Sequence, residues 1–305
     1  MPSRKTPQQF PLAEVFGFPP GNATQEAERY RHNKWCPFNN PTGPNCTKDS
    51  IENPLGVCSI MHAGSPTITC PVRFRQDWRI IDDAAAFFFP DRSMNLPAPR
   101  MLSEVPLKDA KGKSAGNIDM VLVTLDDTGV VTDYGALEIQ AVYISGNVRG
   151  LFKRYMEDPA NYDGTWSGWQ VPNLPHPDYL SSSRKRLAPQ LLFKGGILNA
   201  WKRKMAVAVQ RSFFRTLPHL EAVAQEDAQL AWLVYDLEHK ADRDQHDLVL
   251  SDVVYTRFTD ALFAITTPDI GEEGKFLADL QNRVRVKKTP PDVREVAPPY
   301  DLSSV

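Results

Sequence analysis

The feature that most constrains this chain is a pair of short apolar segments that are joined by a turn and each carry an acidic residue. Residues 116–123 and 136–140 are rich in branched apolar side chains and are bounded by turn residues, which predicts two β-strands. Asp127-Thr128-Gly129 between them favours a hairpin turn. A two-residue loop at the centre of this turn would place Asp119 opposite Glu138 on one face.

This acidic pair predicts a site for a hard, oxygen-liganded metal ion. Directly opposed side chains have Cβ atoms roughly 4.5–5.5 Å apart, and like charges at that distance repel. Two such carboxylates need a cation, a shared proton or water, and carboxylate oxygens suit Mg²⁺. Gln140 points to the same face as Glu138, and Glu104 is a third acid that precedes the hairpin and could complete the metal shell. The pair alone is more often a structural feature than a catalytic one.

Bulk composition describes an ordinary globular chain. Its 305 residues are 42% hydrophobic and 24% charged, and no apolar run reaches the roughly 18 residues that a membrane span needs. The first residues lack the apolar core of a signal peptide, so a cytoplasmic location is expected.

Charge is distributed unevenly along the chain despite a formal net charge of −2. Residues 141–215 hold 12 Lys and Arg against 4 Asp and Glu, whereas residues 216–280 hold 4 against 14. This asymmetry predicts one basic working face, suited to a polyanion, and one acidic, solvated face, provided that the sequence blocks correspond to surface patches.

All four cysteines, Cys36, Cys46, Cys58 and Cys70, fall within a segment rich in turn-forming residues. Such a segment has little to bury and needs a covalent or metal cross-link. In a cytoplasmic chain a closed, structural four-thiolate site is favoured over two disulfides, and reduced structural thiols are the other alternative. Thiolates suit zinc or iron, and the sequence does not choose between them.

The remaining pattern predicts three regions: residues 1–75 with the four-cysteine module, a core at 76–288, and a Pro-rich tail at 289–305. Within the core, residues 77–89 predict a helix that Pro90 ends, and residues 231–235 predict a buried strand. Residues 161–190 predict a loop. An apolar side chain recurs every fourth residue from 197 to 213, which predicts a helix through Ile197, Trp201, Met205, Val209 and Phe213.

An acid on one strand followed by acid-x-Lys on the next describes the PD-(D/E)xK nuclease core, and here Gln140 stands at the lysine position. Gln140 cannot act as a general base but could orient a water. A rival constellation is Glu238-His239-Lys240, which contains Glu-x-Lys itself. Its neighbourhood is crowded with acids that would repel DNA, so we expect it to end a strand in solvent.

A series of short motifs runs from residue 10 to residue 156: Leu12-Ala13-Glu14-Val15-Phe16-Gly17, Cys36-Pro37-Phe38, Asn45-Cys46-Thr47-Lys48, Gly56-Val57-Cys58-Ser59, Cys70-Pro71-Val72-Arg73-Phe74, Ala115-Gly116-Asn117-Ile118-Asp119 and Glu138-Ile139-Gln140-Ala141-Val142-Tyr143-Ile144-Ser145-Gly146-Asn147. In this order they resemble the NotI family of type II restriction endonucleases.

The resemblance implies an α/β (mixed α+β) fold: a PD-(D/E)xK core with a central mixed sheet flanked by helices, and a small N-terminal module whose four cysteines bind iron, with zinc as the alternative. It implies catalytic and Mg²⁺-binding roles for Glu104, Asp119 and Glu138, and makes Gln140 the family's own choice at the lysine position. It also implies a homodimer that cleaves GC-rich palindromic DNA with Mg²⁺ in the bacterial cytoplasm. Because the chain is shorter than the family's name-giver, we expect a shorter site, centred on GGCC.

We therefore expect a type II restriction endonuclease that leaves 5′-phosphate and 3′-hydroxyl ends. Arg or Lys side chains would read guanine O6 and N7 or contact phosphates. The candidates for DNA contact are Arg149, Lys153, Arg154, Arg184, Lys185 and Arg186. The alternative is a non-catalytic DNA-binding protein on a decayed nuclease core, which Gln140 in place of lysine keeps open.

Overall fold

The N-terminal part of the chain forms a small three-stranded antiparallel sheet that packs against helices. The computed structural model describes residues 10–39, 44–91, 98–159 and 173–286. The strand order of the small sheet is β1-β2-β3. The elements of this part are β1 (Leu12–Val15), α1 (Gln25–Asn33), β2 (Val57–His62), β3 (Ser65–Ile68), a 3₁₀ segment (Pro71–Trp78) and α2 (Arg79–Phe88).

Residues up to 266 build a six-stranded mixed sheet with helices on both faces. The elements after α2 are β4 (Arg100–Lys108), β5 (Ser114–Leu125), β6 (Val131–Gln140), β7 (Tyr143–Ser145), α3 (Val148–Glu157), β8 (His176–Asp178), α4 (Tyr179–Ser182), α5 (Ala188–Gln190), α6 (Gly196–Ala200), β9 (Met205–Gln210), α7 (Arg211–Phe214), a 3₁₀ turn (Gln225–Asp227), β10 (Leu230–Lys240), β11 (Gln245–Thr256), α8 (Phe258–Thr266) and, in a separate unit, α9 (Glu273–Val286). β7 and β8 pair with each other as a separate two-stranded sheet.

The strand order of the large sheet is β11-β10-β9-β6-β5-β4. β9 pairs in parallel with β6 and β10, and the outer pairs are antiparallel. The expected mixed α+β architecture, a central mixed sheet with flanking helices, is therefore confirmed.

Each face of the large sheet is covered by a different set of helices. Phe87 and Phe88 of α2 pack on one face with Leu137. On the other face, Leu187 and Leu191 pack against strand residues that include Val207 and Trp232. These two leucines belong to residues 179–200, named the interrupted helix because π-helical turns (Ser183–Leu187 and Leu191–Gly195) separate α4, α5 and α6.

Of three local predictions about helices and loops, one is confirmed and two are wrong. The predicted helix at 77–89 is α2, and Asp77 and Trp78 stand before it with positive φ angles of 53° and 55°. The predicted loop at 161–190 is wrong from His176 onward, where β8 and then the interrupted helix form, and residues 161–172 lie outside the described part. The predicted helix through residues 197–213 is wrong because Met205–Gln210 is the fully buried strand β9. A short continuous apolar run fits a buried parallel strand as well as a helix.

The hairpin between β5 and β6 has the predicted strands but a different turn. Asp126 N–H donates to Val130 O at 2.9 Å, so three residues form the loop, and Gly129 supplies the left-handed conformation with φ 85°. A register shift between Thr124 and Leu125 compensates for the extra residue. The pairing of the two strands ends with Met120 opposite Leu137, so Asp119 and Glu138 are the next residue on each strand just beyond the last pair.

The chain divides into two compact units, residues 1–266 and 267–305. The described part of the second unit is α9 with the residues before it, and the predicted Pro-rich tail at 289–305 lies outside the described residues. Among the described residues, no helix has both the length and the apolar character required to cross a bilayer.

Candidate active site

Three acidic residues stand in one row across three neighbouring strands. Ser103 pairs with Met120 and Val105 pairs with Ile118, so Glu104 of β4 falls opposite Asp119 of β5. Glu138 of β6 follows Leu137, the last residue that pairs with β5, and the next residue, Ile139, donates its N–H to the Asp119 carboxylate. The structure thus brings together the three acids that the sequence singled out.

Glu104 has an unusual backbone that turns its strand. Its φ of 54° is left-handed, a conformation that a non-glycine residue rarely adopts and that is often found at functional sites. Met101 packs on the α2 face of the sheet, whereas Val105 packs on the opposite face. Regular alternation would put both on the same face, so the alternation of β4 changes at Glu104.

The row of acids borders a cleft of about 790 Å³. Glu104, Asp119 and Gln140 line this cleft, and Glu138 is buried within the adjoining sheet. Basic side chains line it as well: Lys48, Arg75, Lys185 and Arg186. A concave site that combines carboxylates with several cations can hold a metal ion and a polyanionic substrate together.

Asp119 is held by the backbone of the next strand. One of its carboxylate oxygens accepts a hydrogen bond from Ile139 N–H at 2.7 Å. Burial raises the pKa of Asp119, the Ile139 N–H and Lys194 oppose that rise, and Glu104 adds to it.

Glu138 is the most strongly perturbed acid of the row. Burial, and then the negative charge of Asp119, raise the pKa of Glu138 to about 8, although Lys194 acts in the opposite direction. Lys194 Nζ lies 2.8 and 2.7 Å from the two oxygens of Glu138. Gln190 Nε2 donates to the same carboxylate at 3.0 Å. A carboxyl group with such a perturbed pKa, beside a cleft, is a candidate functional residue.

Gln140 stands at the end of β6 and is buried. Its amide nitrogen donates to Ala141 O at 2.7 Å. The side chain lies at the wall of the cleft, beside the acids, and its amide is oriented by the backbone of its own strand end.

The six basic residues predicted to contact DNA are not all at the cleft. Lys185 and Arg186 line it, and Arg186 lies over the ring of Tyr143 at 5.2 Å from its centroid. The others lie outside its lining: Arg149 pairs with Asp49, Lys153 pairs with Glu157 at 3.9 Å, and Arg154 follows in α3, while Arg184 belongs to the first π-helical turn.

The four cysteines converge on one small cavity. All of them are free thiols and line the same space of about 10 Å³, although up to 34 residues of sequence separate them. Cys70 N–H donates to Cys58 O at 3.2 Å, which brings the third and fourth cysteines together. Burial raises the pKa of Cys36 to about 12, and burial also raises the pKa values of Cys46 and Cys58. Burial thus favours the neutral form of these three thiols.

Neither cluster has the arrangement of a finished metal site. Among the described residues, no group of three or more His, Cys, Asp or Glu side chains is placed so that it could already hold a metal ion. Donor chemistry nevertheless fits in both places, because hard oxygens meet at the cleft and sulfur atoms surround the small cavity.

The rival Glu238–Lys240 pair lies at the exposed end of β10. Lys240 Nζ contacts Glu238 at 3.0 Å, and both side chains are exposed. Neither residue lines the cleft that Asp119 borders. The pair ends a strand in solvent, as the sequence predicted.

Four residues of the site were not predicted from the sequence: Lys48, Arg75, Gln190 and Lys194. Lys48 stands in the motif of Cys46, and Arg75 directly follows the motif of Cys70, which was the only sequence signal for either residue. Arg75 Nε is buried and has no hydrogen-bond partner among the described residues. Lys194 is a lone cation that follows the apolar segment Leu191-Leu192-Phe193, a weak signal for a buried partner.

A mixed sheet that carries a row of acids at the wall of a basic cleft has the features of a nuclease. The family described as restriction endonuclease NotI matches residues 22–248, which is well over half of the chain. The chain therefore belongs to the NotI restriction endonuclease family, whose members are nucleases and so hydrolases. The match extends beyond the motifs of the N-terminal half and includes the interrupted helix and β9. A search of curated protein sequences gave no significant match.

Proposed function

We propose that this protein is a type II restriction endonuclease that uses Mg²⁺ to cleave both strands of a GC-rich palindromic DNA site, centred on GGCC. The ends would carry 5′-phosphate and 3′-hydroxyl groups. The observation that carries the proposal is the row of Glu104, Asp119 and Glu138 across three strands beside a basic cleft. Membership in the NotI family supports the same conclusion.

In this proposal the PD-(D/E)xK core comprises the acidic row and the strands that carry it. Glu104, Asp119 and Glu138 would hold Mg²⁺, since carboxylate oxygens are its preferred protein ligands. When bound, Mg²⁺ would stabilise the charge that develops on the scissile phosphate and activate a water. The chain itself supplies fixed orientation: Ile139 N–H fixes Asp119, and the strand register fixes the order of the three acids.

The basic side chains at the cleft would hold the DNA backbone. Lys185 and Arg186 enter from the interrupted helix, and Arg75 enters from the 3₁₀ segment. Arg75 carries a full positive charge at the wall of the cleft, where a phosphate oxygen would be attracted to it. Gln140 would orient the attacking water, because a carboxamide does not titrate and cannot take up a proton.

We further propose that the enzyme acts as a homodimer in the bacterial cytoplasm. Two-fold symmetry in the protein would match two-fold symmetry in a palindromic site. The basic candidates outside the cleft lining (Arg149, Lys153, Arg154 and Arg184) would contact phosphates or bases on either side of the cut. Sequencing across the ends of cleaved plasmid DNA identifies the site and the position of both cuts.

The four cysteines are proposed to hold a structural iron ion, with zinc as the alternative. Their convergence on one small cavity supports a closed four-thiolate site. The module packs near α3 through Phe16 and Phe152, whose ring centroids lie 5.8 Å apart. Its role would be to position the chain on DNA and not to perform chemistry.

Replacement of Asp119 tests the catalytic assignment. Asp119→Ala removes a proposed metal ligand, so we expect cleavage of GC-rich plasmid DNA to fall by about 1,000-fold, which corresponds to about 4 kcal/mol of transition-state stabilisation. Binding to the same DNA, measured by gel retardation in Ca²⁺, should persist. Normal cutting by Asp119→Ala would show that the assignment is wrong.

Lys240→Ala is the matched control for this experiment, because Lys240 belongs to the rival constellation and is exposed. It should cut at the normal rate; complete loss would make Glu238-x-Lys240 the true centre. A wild-type protein that retards DNA but never cuts it in Mg²⁺ would favour the non-catalytic alternative, which the Gln at position 140 motivates.

A further inference from the structure

Two side chains of the interrupted helix donate hydrogen bonds to the carboxylate of Glu138. Lys194 Nζ contacts both carboxylate oxygens at 2.8 and 2.7 Å, and Gln190 Nε2 donates to one of them at 3.0 Å. Only 1% of Glu138 and 6% of Lys194 are exposed, so this ion pair is shielded from solvent. A buried charge pair persists only where the geometry and additional hydrogen bonds compensate for its desolvation.

The irregular form of the helix brings these two side chains to the strand. Gln190 and Lys194 are four residues apart and share one helix side. Lys194 lies in the π-helical turn Leu191–Gly195, which follows Pro189, a residue without an N–H to donate. Single π-helical turns are frequent at functional sites because they reorient side chains. The turn thus aims Lys194 at β6.

Neighbouring residues leave room for the long side chain of Lys194. Gly116 of β5 lies beside it, and a Cβ atom at that position would stand 3.2 Å from Lys194 Cε. Gly116 has φ of +105°, which a residue with a side chain rarely adopts. β5 therefore carries Asp119 and, three residues earlier, makes space for the cation that holds Glu138.

We propose that Gln190 and Lys194 are positioning residues that hold the carboxylate of Glu138 in a fixed orientation for a divalent cation. They supply, from a helix, the amino group that position 140 on the strand lacks. Gln190 also lines the cleft, and its Oε1 is buried without a hydrogen-bond partner among the described residues, so it can accept a hydrogen bond from a water bound to the cation. This inference rests on the proposed metal-dependent activity.

Metal binding in the absence of DNA tests the proposal independently of cleavage. Mn²⁺ is titrated by calorimetry into the full chain, into Lys194→Gln and into Gln190→Ala. We expect Lys194→Gln to bind Mn²⁺ about 10- to 100-fold more weakly, the range found when a group that orients a metal ligand is removed. Gln190→Ala should show a smaller loss, because Lys194 still contacts both oxygens of Glu138.

Lys204→Gln is the matched control. Lys204 is partly buried and donates to a backbone carbonyl, that of Phe87 of α2 at 3.1 Å, but it does not line the cleft that the acidic row borders. Its Mn²⁺ affinity should equal that of the wild type. A thermal melt of each variant separates a positioning effect, in which affinity falls while the fold persists, from general loss of structure.

Unchanged or tighter Mn²⁺ binding by a folded Lys194→Gln would overturn the proposal. If that variant fails to fold, Gln190→Ala decides, because it removes no charge, and unchanged affinity in this variant overturns the proposal as well. Failure of the nuclease assignment is distinguishable: the wild type would then cut no DNA, whatever the Mn²⁺ titrations of the variants show.

Discussion

At the scale of single residues, a buried ion pair joins the N-terminal sheet to the large sheet. Arg73 Nε lies 3.0 Å from Glu14 of β1, and both side chains are fully buried. The Arg73 guanidinium also donates to His246 O of β11 at 2.8 Å and lies 4.2 Å from the ring centroid of Phe38, two residues after Cys36. One guanidinium therefore connects the cysteine module, the small sheet and the edge strand of the large sheet.

Arg73→Met should be strongly destabilising. It leaves the Glu14 carboxylate buried without its cation, and loss of one partner of such a pair costs about 3–5 kcal/mol. The midpoint of urea unfolding measures the loss. The control is Arg203→Met, since Arg203 pairs with Asp133 where both side chains are partly exposed, and such pairs contribute at most about 1 kcal/mol. Equal losses of unfolding free energy in the two variants would contradict a special role for the buried Arg73–Glu14 pair.

At the scale of elements, the contact between α2 and β6 determines how closely a helix can approach the strand that carries Glu138. Gly135 of β6 faces the ring of Phe88, and a Cβ atom at this position would lie 2.3 Å from Phe88 Cγ. Glycine is needed for this close approach. The helix and the strand were both predictable from local pattern, whereas this contact was not, because 47 residues separate its partners in the sequence.

Gly135→Ala should therefore destabilise the protein by about 1–3 kcal/mol, the usual cost of extra volume in a packed core. Gly196→Ala is the matched comparison. Gly196 begins α6 with helical backbone angles, and a Cβ atom there would meet no described atom within 4 Å, so the change should stabilise by about 0.4–1 kcal/mol. Thermal melts measure the change in Tm of both variants. A decrease in Tm for Gly196→Ala as large as that for Gly135→Ala would contradict this account of the packing.

At the scale of the whole molecule, three apolar clusters pack around the elements that carry the acidic row and the four cysteines. Two clusters lie on either face of the large sheet, and the third joins β1 and β2 with Leu151, Phe152 and Tyr155 of α3. The third contains Cys46 and packs against Cys36, so loss of a bound metal would be transmitted directly to this part of the core.

Removal of the proposed structural metal tests this connection. The purified protein should contain one iron or zinc ion per chain, coloured in the ferric case and colourless with zinc. Extraction with a chelator should leave four free thiols and lower Tm by about 10 °C, since several kcal/mol of metal binding are lost and each kcal/mol shifts Tm by roughly 2–4 °C in domains of 150–250 residues. A metal-free protein with an unchanged Tm would contradict a structural metal.

The local sequence was sufficient to predict the β5–β6 hairpin, the two acids that it carries and the clustering of the four cysteines. Alternating and apolar patterns define β5 and β6, and the turn between them sets which residues face one another, so Asp119 and Glu138 could be matched without a structure. The predicted two-residue loop was wrong, but the predicted register of the strands is correct because a register shift between Thr124 and Leu125 compensates for the extra loop residue.

Tertiary structure alone decided the surroundings of that pair. The apolar run at 205–210 is compatible with helix or strand, and its parallel partners β6 and β10 are distant in sequence, so only packing made it the central strand β9. Gln190 and Lys194 lie 52 and 56 residues beyond Glu138, and they reach it because the interrupted helix packs on the face of the sheet that carries the acids. Periodicity extends over a few residues, whereas the pairing of a buried charge depends on which elements pack together; the sequence therefore identified the acids, and only the fold identified what holds them.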